Sequence, residues 1–317
     1  MRVHAQQLSA LAAAAALALG CAACSSSPAS SGAADAGSAS TAGFPVTVSS
    51  FVGDVRVPTR PDSIVSLSPT ATEMLYAIGA GGQVKAVDDD SDYPKQAPMT
   101  KLSGYTPNAE AIAAYKPDLV VISNNIDGIT AKLTSLSIPV LDLPAAANLS
   151  QEYAEFDQLG KATGHLTQAE QEVSKLKGEI AKIVASEPAH PKALTYYYEV
   201  STDPYYSVTS STFIGNVLSL LGLKSIADAA TGAAASGGYP SLSAEFILKS
   251  NPDYIILSDT GSTGGGQDAA TVSSRPGWSV MSAVKDHHIV LVNADIASRW
   301  GPRIVDLLQD VAAALKQ

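Results

Sequence analysis

Cysteine is nearly absent from this 317-residue chain. Only Cys21 and Cys24 occur, both at the extreme N-terminus. The body beyond them therefore has no disulfide framework, no thiolate zinc site and no cysteine nucleophile. Charge is scarce too: Asp, Glu, Lys and Arg make up 16% of residues, against about 25% in ordinary soluble domains. It leans acidic, with 30 Asp and Glu against 20 Lys and Arg. That excludes a general nucleic-acid binder, because phosphate neutralisation needs a basic surface. Beyond residue 20 no run of 18 apolar residues occurs, so no membrane-spanning helix is expected there. Phosphate and catalytic signatures are missing as well: there is no GxxxxGKS/T loop, no GxSxG elbow and no HExxH pair. The acidic run Asp88–Asp92 lacks the glycine and distal glutamate of a calcium loop. His165 and His190 sit at helix-end and proline-rich positions typical of a surface, and His287-His288 are too few for a metal site.

What is present begins with a secretory pattern. Arg2 precedes an Ala/Leu stretch over residues 8–19 that is too short to span a bilayer, so residues 1–20 read as a signal peptide. Leu17-Ala18-Leu19-Gly20-Cys21 resembles a bacterial lipobox, with Cys21 as the lipidated residue and Cys24 as the alternative. Residues 21–43 then form a tether. From 25 to 43 it holds seven Ser, six Ala, three Gly and one charge, which cannot pack a core. Nineteen such residues span roughly 20–25 Å as a random coil.

From Phe44 onward the pattern is that of packed structure. Val46, Val48, Val55 and Val57 alternate about Gly53-Asp54 as a hairpin. Ile64–Leu67, Val84–Val87, Leu119–Ile122 and Val140–Leu143 read as buried strands, with helices starting at Ser68-Pro69 and over 108–116 and 128–136. Residues 150–187 carry only helical periodicity. A first helix stops near Thr163-Gly164, and a second starts at Thr167, whose hydroxyl and Glu170 fit a capping box, and runs to Ser186. Pro188 and Pro191 end it. Strands at Leu194–Val200, Asp253–Ser258 and Ile289–Asn293 then alternate with helices over 212–221, 244–250, 276–284 and 302–316. Alternation of this kind implies parallel sheets covered on both faces. The chain thus divides into an N-terminal α/β lobe (44–149), connecting helices (150–187) and a C-terminal α/β lobe (188–317).

An internal repeat supports the division. Asn108–Ser123 aligns without gaps on Ser243–Ser258, an offset of 135 residues with six of sixteen positions identical. Each copy encodes an N-cap, a helix, a Pro-Asp turn and a buried strand. Two lobes built on one unit suggest a cleft between them at the carboxyl ends of the strands. Loop tyrosines fit such a cleft: 12 of the 19 aromatic residues are Tyr, among them Tyr93, Tyr105, Tyr205, Tyr206 and Tyr239, and Trp300 stands beside Arg299 and near Arg303. Tyr and Trp join apolar area to a polar handle, which suits a wet pocket around a large ligand.

Ile64–Glu73, Ser91-Asp-Tyr-Pro94, Asn108–Asp118 and Ser298-Arg-Trp-Gly-Pro-Arg303 together resemble the cobalamin and ferric-siderophore solute-binding family of ABC importers. The resemblance covers residues 60–317. It implies two Rossmann-like lobes with parallel central sheets joined by a rigid helix, the class III solute-binding fold. It also implies capture of a corrinoid and its delivery to a dimeric membrane permease, with a ferric siderophore or haem as the alternative ligand. The expected protein is a monomer without catalytic activity or cofactor, and it is extracytoplasmic and held to the membrane only by its lipid. A zinc or manganese binder and an envelope hydrolase are the competing classes, and neither a ligand cluster nor an activated nucleophile is evident for them. Carried over residue by residue, the family's ligand-packing aromatics fall on Tyr105, on Tyr239 and near Tyr198 or Tyr205. Its Asp and Arg near the final helix fall on Asp295 and Arg299. Tyr93 and Trp300, which lie within the matching motifs, join the set. The family's permease-docking glutamates fall on Glu110 and Glu245. Asn124-Asn125 stands where the family carries another aromatic.

Overall fold

The computed structural model describes residues 43–50, 53–188, 192–261 and 265–316. The signal sequence, Cys21, Cys24, most of the tether and His190 lie outside them. Two parallel sheets dominate. The first has five strands, β3 (Ile64–Leu67), β4 (Val84–Asp88), β5 (Met99–Leu102), β6 (Leu119–Ile122) and β7 (Val140–Asp142), in the order β5-β4-β3-β6-β7. The second has four, β8 (Leu194–Glu199), β11 (Leu223–Ser225), β13 (Tyr254–Leu257) and β14 (Ile289–Leu291), in the order β11-β8-β13-β14. The chain is therefore α/β with two parallel-sheet halves, as the alternation implied. Strands β5 and β11 were not legible in the sequence. Met99–Leu102 is half polar and Leu223–Ser225 has three residues, so neither carries a buried-strand signature.

An N-terminal hairpin, β1 (Val46–Ser50) and β2 (Gly53–Val57), pairs Val46 with Val57 and Val48 with Val55. Gly53 and Asp54 belong to its second strand rather than to its turn. A small antiparallel sheet joins β9 (Ser201–Thr202), β10 (Tyr205–Tyr206) and β12 (Ser241–Leu242).

Strand alternation sorts the side chains between cores. Ile64, Leu119 and Val121 of the first sheet, and Tyr196, Tyr198, Tyr254 and Ile256 of the second, belong to one continuous apolar core. Their neighbours point the other way. Val65, Val120 and Ile122 pack with Ile112, Ile129 and Leu133, while Tyr197, Ile255 and Leu257 pack with Trp278. Period-two geometry dictates this split, and the central strands β3, β6 and β13 read as near-continuous apolar runs because both their faces are covered.

Among the helices that contribute to the shared core are α4 (Leu149–Thr163) and α5 (Leu166–Ser186), and, at the end of the chain, α11 (Ile304–Ala314). Asn148 caps α4 by accepting from Gln151 N at 3.1 Å. Helix α4 ends at Gly164, in the left-handed region at φ +77°. The expected capping box at Thr167 and Glu170 does not form. The chain turns so tightly over Gly164 that the His165 carbonyl already accepts from Ala169 N (3.0 Å), which makes His165 the cap and leaves Thr167 and Glu170 inside α5. His165 itself is buried against Arg60, with Nε2 3.0 Å from the guanidinium, rather than lying on the surface. Burial and the Arg60 charge push its pKa down.

The repeat has one structural meaning in both halves. Helices α2 (Ala109–Ala113) and α7 (Ala244–Ser250) start at Asn108 and Ser243, whose side chains accept from Ala111 N (2.9 Å) and Phe246 N (3.1 Å). Asp118 Oδ2 then accepts from Asp62 N and Ser63 N, at 2.9 and 3.0 Å, just ahead of β3. Asp253 Oδ2 accepts from Thr195 N and Thr195 Oγ1, both at 2.8 Å, at the start of β8. Each Pro-Asp turn thus ties the incoming strand to the central strand of its sheet.

The α4–α5 corner depends on close backbone approach. A Cβ on Gly160 would stand 2.6 Å from Ala169 Cβ and 3.0 Å from Leu166 Cα. Gly160→Ala should therefore force the two helices apart and cost about 1–3 kcal/mol, although Ala is the better helix former. Urea denaturation should show the loss as a lower midpoint.

Candidate functional site

Two adjoining cavities, of about 510 and 470 Å³, open where the strands end and share Asp295, Ser298 and Trp300. Ser68 follows β3, Ser123 and Asn124 follow β6, and Leu143 follows β7, all lining the first cavity. Val200 follows β8, and Ser258 and Asp259 follow β13, lining the second. Carboxyl ends of parallel strands are where α/β folds place ligands, since backbone and helix termini there are free of sheet pairing. The cleft floor comes from α1 (Pro69–Ala77), whose cap Ser68 accepts from Ala71 N at 3.3 Å, and from α4.

Most of the expected ligand residues meet here. Tyr105 stands at the mouth of the first cavity, 73% exposed. It follows Gly104, where a Cβ would lie 2.8 Å from Leu67 O and 2.9 Å from Asp88 Oδ2, so glycine lets this loop lie against the end of β3. Tyr198 and Tyr239 line the second cavity. Asp295 and Ser298 belong to α10 (Ala294–Ser298), a short helix not legible in the sequence. Trp300 stacks on Phe213 with centroids 4.9 Å apart and donates Nε1–H to Ala297 O at 3.0 Å, which fixes the ring.

Two expected residues lie elsewhere. Tyr93 covers the Arg303 guanidinium, 4.1 Å from the ring centroid, in a separate cavity with Glu73 and Glu172. Tyr205 packs on Trp278, with centroids 5.7 Å apart, in the outer core of the second sheet. Glu110 and Glu245 are exposed in the first turns of α2 and α7, at matching places in the two halves.

Arg299 has a structural role that sequence reading missed. Its guanidinium donates to the Asp92 carboxylate and to Asp90 O (2.8 Å), and it lies 3.3 Å from Asp295. It thereby ties the segment before α11 to the loop after β4. Beside it, Arg303 grips Glu73 of α1 through both carboxylate oxygens, Nε to Oε2 at 2.7 Å. Glu73 is 2% exposed, and burial raises its pKa even against the pull of Arg303. A third pair, Arg275 with Glu199, lies under the second cavity, with Nη2 to Oε1 at 2.7 Å.

Burial also holds up other carboxyls. It pushes Glu155, which lines the first cavity, to about 8. Burial and then the nearby Glu199 charge push Asp259, in the second cavity, to about 7. Asp88, at the end of β4, rises to about 6, chiefly by burial. Sequence carried one faint sign of Glu155: it lies three residues from Glu152 on the apolar stripe with Phe156 and Leu159, where a charge is out of place. Among the described residues no group of three or more His, Cys, Asp or Glu is placed to hold a metal ion.

The Glu73–Arg303 pair makes a clear forecast. Arg303→Ala leaves a buried carboxylate without its cation and should cost about 3–5 kcal/mol, whereas Glu73→Met with Arg303→Met should restore most of that loss. Chemical denaturation of the two variants checks both.

Comparison with known proteins agrees with this geometry. The periplasmic binding protein family model matches residues 64–296. An uncharacterised ABC transporter substrate-binding lipoprotein of Bacillus subtilis is 32% identical over 282 residues, 86% of each chain. A vitamin B12-binding protein of Pectobacterium atrosepticum is 29% identical over 265 residues, 81% of this chain and 89% of that one. The crystal structure of a possible iron-binding periplasmic solute-binding protein from Staphylococcus epidermidis superposes with a TM-score of 0.69 at 29% identity, covering 82% of this chain and all of the other. A lobe repeat, two parallel sheets and a cleft at their carboxyl ends, matched over most of the length, show that this chain belongs to the periplasmic binding protein family.

Proposed function

We propose that the protein captures a corrinoid in the cleft and delivers it to the permease of an ABC importer. The observation that carries the reading is the cleft itself: two adjoining cavities, walled by Tyr105, Tyr198, Tyr239 and Trp300, that together suit a broad, rigid macrocycle rather than a small ion. Similarity to a vitamin B12-binding protein supports it. The protein acts by binding rather than by turnover, in keeping with its family. The second reading is a ferric siderophore or haem, favoured by the likeness to a possible iron-binding protein and by the tyrosines.

The shared core and the Glu73–Arg303 grip leave little room for hinge motion, so closure on the ligand is small. Trp300 lines the cleft while Trp278 is buried in an outer core. Titration with cyanocobalamin should therefore quench Trp300 fluorescence in a Trp278→Phe background, with little change in radius of gyration. Saturation by hemin or a ferric siderophore, with no response to cyanocobalamin, would move the assignment to the second reading.

Delivery needs an anchor and a docking face. In this reading Cys21 carries the lipid, the protein works as a monomer outside the cytoplasm, and two acyl chains give stable attachment where one is marginal. Glu110 and Glu245 are the docking contacts. They occupy equivalent exposed places in the two halves, as a two-fold permease dimer requires, and their charge sets orientation and association rate. A carboxylate in a helix's first turn gains only about 0.3–1 kcal/mol from the helix dipole, so charge reversal should barely touch folding. Glu110→Arg with Glu245→Arg should keep ligand affinity and melting temperature while abolishing uptake in cells. Persistent uptake would reduce the two glutamates to helix-start residues.

A further inference from the structure

Each half of the cleft ends on a buried carboxyl group that the protein leaves unsatisfied. Glu155, on α4, is 3% exposed, lines the first cavity, and its Oε1 has no hydrogen-bond partner. Asp259, just after β13, is also 3% exposed, lines the second cavity, and its Oδ1 has none. A buried polar atom without a partner costs about 1–3 kcal/mol. Glu155 does not offset that cost within the fold, and Asp259 does so only in part, through the neighbouring Glu199. Burial alone accounts for the raised pKa of Glu155, and the acid one turn before it on α4, Glu152, is itself buried with both oxygens unpartnered. Beside Asp259 stands Glu199, whose carboxylate accepts from Arg275 and the Tyr197 hydroxyl and also hydrogen-bonds Asp259, leaving Asp259 Oδ1 as the oxygen without a partner.

The charges of the lining narrow the ligand chemistry. Asp90, Asp295, Glu155 and Asp259 face the two cavities against one cation, Arg299, and that cation is committed to Asp92, Asp90 O and Asp295. A polyanion entering here would bring uncompensated negative charge into a partly desolvated site. A neutral carbonyl oxygen would meet the opposite situation, two buried acids with hydrogen-bonding capacity to spare. We propose that Glu155 and Asp259 are ligand-contacting acids that donate hydrogen bonds to carbonyl oxygens of an uncharged, amide-bearing ligand lying across both cavities. This rests on the corrinoid reading, since a corrinoid presents a rim of carboxamides. The protonated state that donation needs is the one burial favours near neutral pH, at Glu155 firmly and at Asp259 in part.

Isothermal titration with cyanocobalamin tests the proposal. Glu155→Leu and Asp259→Leu should each weaken binding about tenfold, the loss of one buried hydrogen bond, while melting temperature holds or rises because an unsatisfied buried acid has gone. Glu155→Gln and Asp259→Asn, which restore an N–H donor, should recover most of the affinity. Leucine variants that bind like the parent overturn the proposal. So do amide variants that lose as much as leucine, because an anionic role would then be required. A parent protein that does not bind cyanocobalamin overturns the corrinoid reading instead, before any variant is compared.

Discussion

The central strands of the two large sheets need apolar cover on both faces, and the chain meets part of that need with one core shared between the sheets. Ile64, Leu119 and Val121 on one side, and Tyr196, Tyr254 and Ile256 on the other, belong to one core with residues of α1, α4, α5 and α11. Because burial of apolar area drives the packing, neither sheet can shift without exposing that surface. The carboxyl ends of both sheets therefore border one cleft, and every later property of the site inherits that arrangement.

Ionic contacts sharpen what apolar packing alone leaves loose. Glu73–Arg303 joins α1 to the start of α11, and Arg299 joins the same region to the loop after β4. A buried ion pair is weak evidence for stability, since desolvation offsets most of its attraction, but it specifies which surfaces meet. Here it specifies a wall of the cleft. Trp300 lies between the two arginines in sequence and is held flat on Phe213. The result is an aromatic platform at the boundary between the two cavities, preorganised before any ligand arrives.

Charge in the cleft is managed by burial more than by pairing. Glu155 is raised toward neutrality because water is excluded around it, and Asp259 by burial and then by the neighbouring Glu199 charge. A binding site built this way favours dipoles over ions. That sets it apart from anion sites, which gather arginines or helix N-termini around the ligand.

How much of this was legible in the sequence follows from the range of the forces involved. Strands such as Leu119–Ile122, the caps Ser68, Asn108 and Ser243, and the 135-residue repeat depend on neighbours within a few residues, so their patterns could be read directly. The α/β class, the two halves and a cleft at the strand ends followed from them. Other features depend on groups far apart in the chain. Nothing local distinguishes Tyr239, which lines the cleft, from Tyr205, which lies on Trp278, or from Tyr93, which lies on Arg303. The capping box at Thr167 matched its pattern, yet the tight turn at Gly164 started the helix earlier. Arg299 read as a ligand residue and lines the first cavity, but nothing local shows that it is also held by Asp92, 207 positions away. Sequence by itself determined most of the strands and longer helices, though not β5, β11 or α10, because hydrogen bonding and side-chain periodicity are short-range. Only the tertiary structure decided which tyrosines and carboxyls line the cleft, because burial and Coulomb contact are set by what the fold brings together.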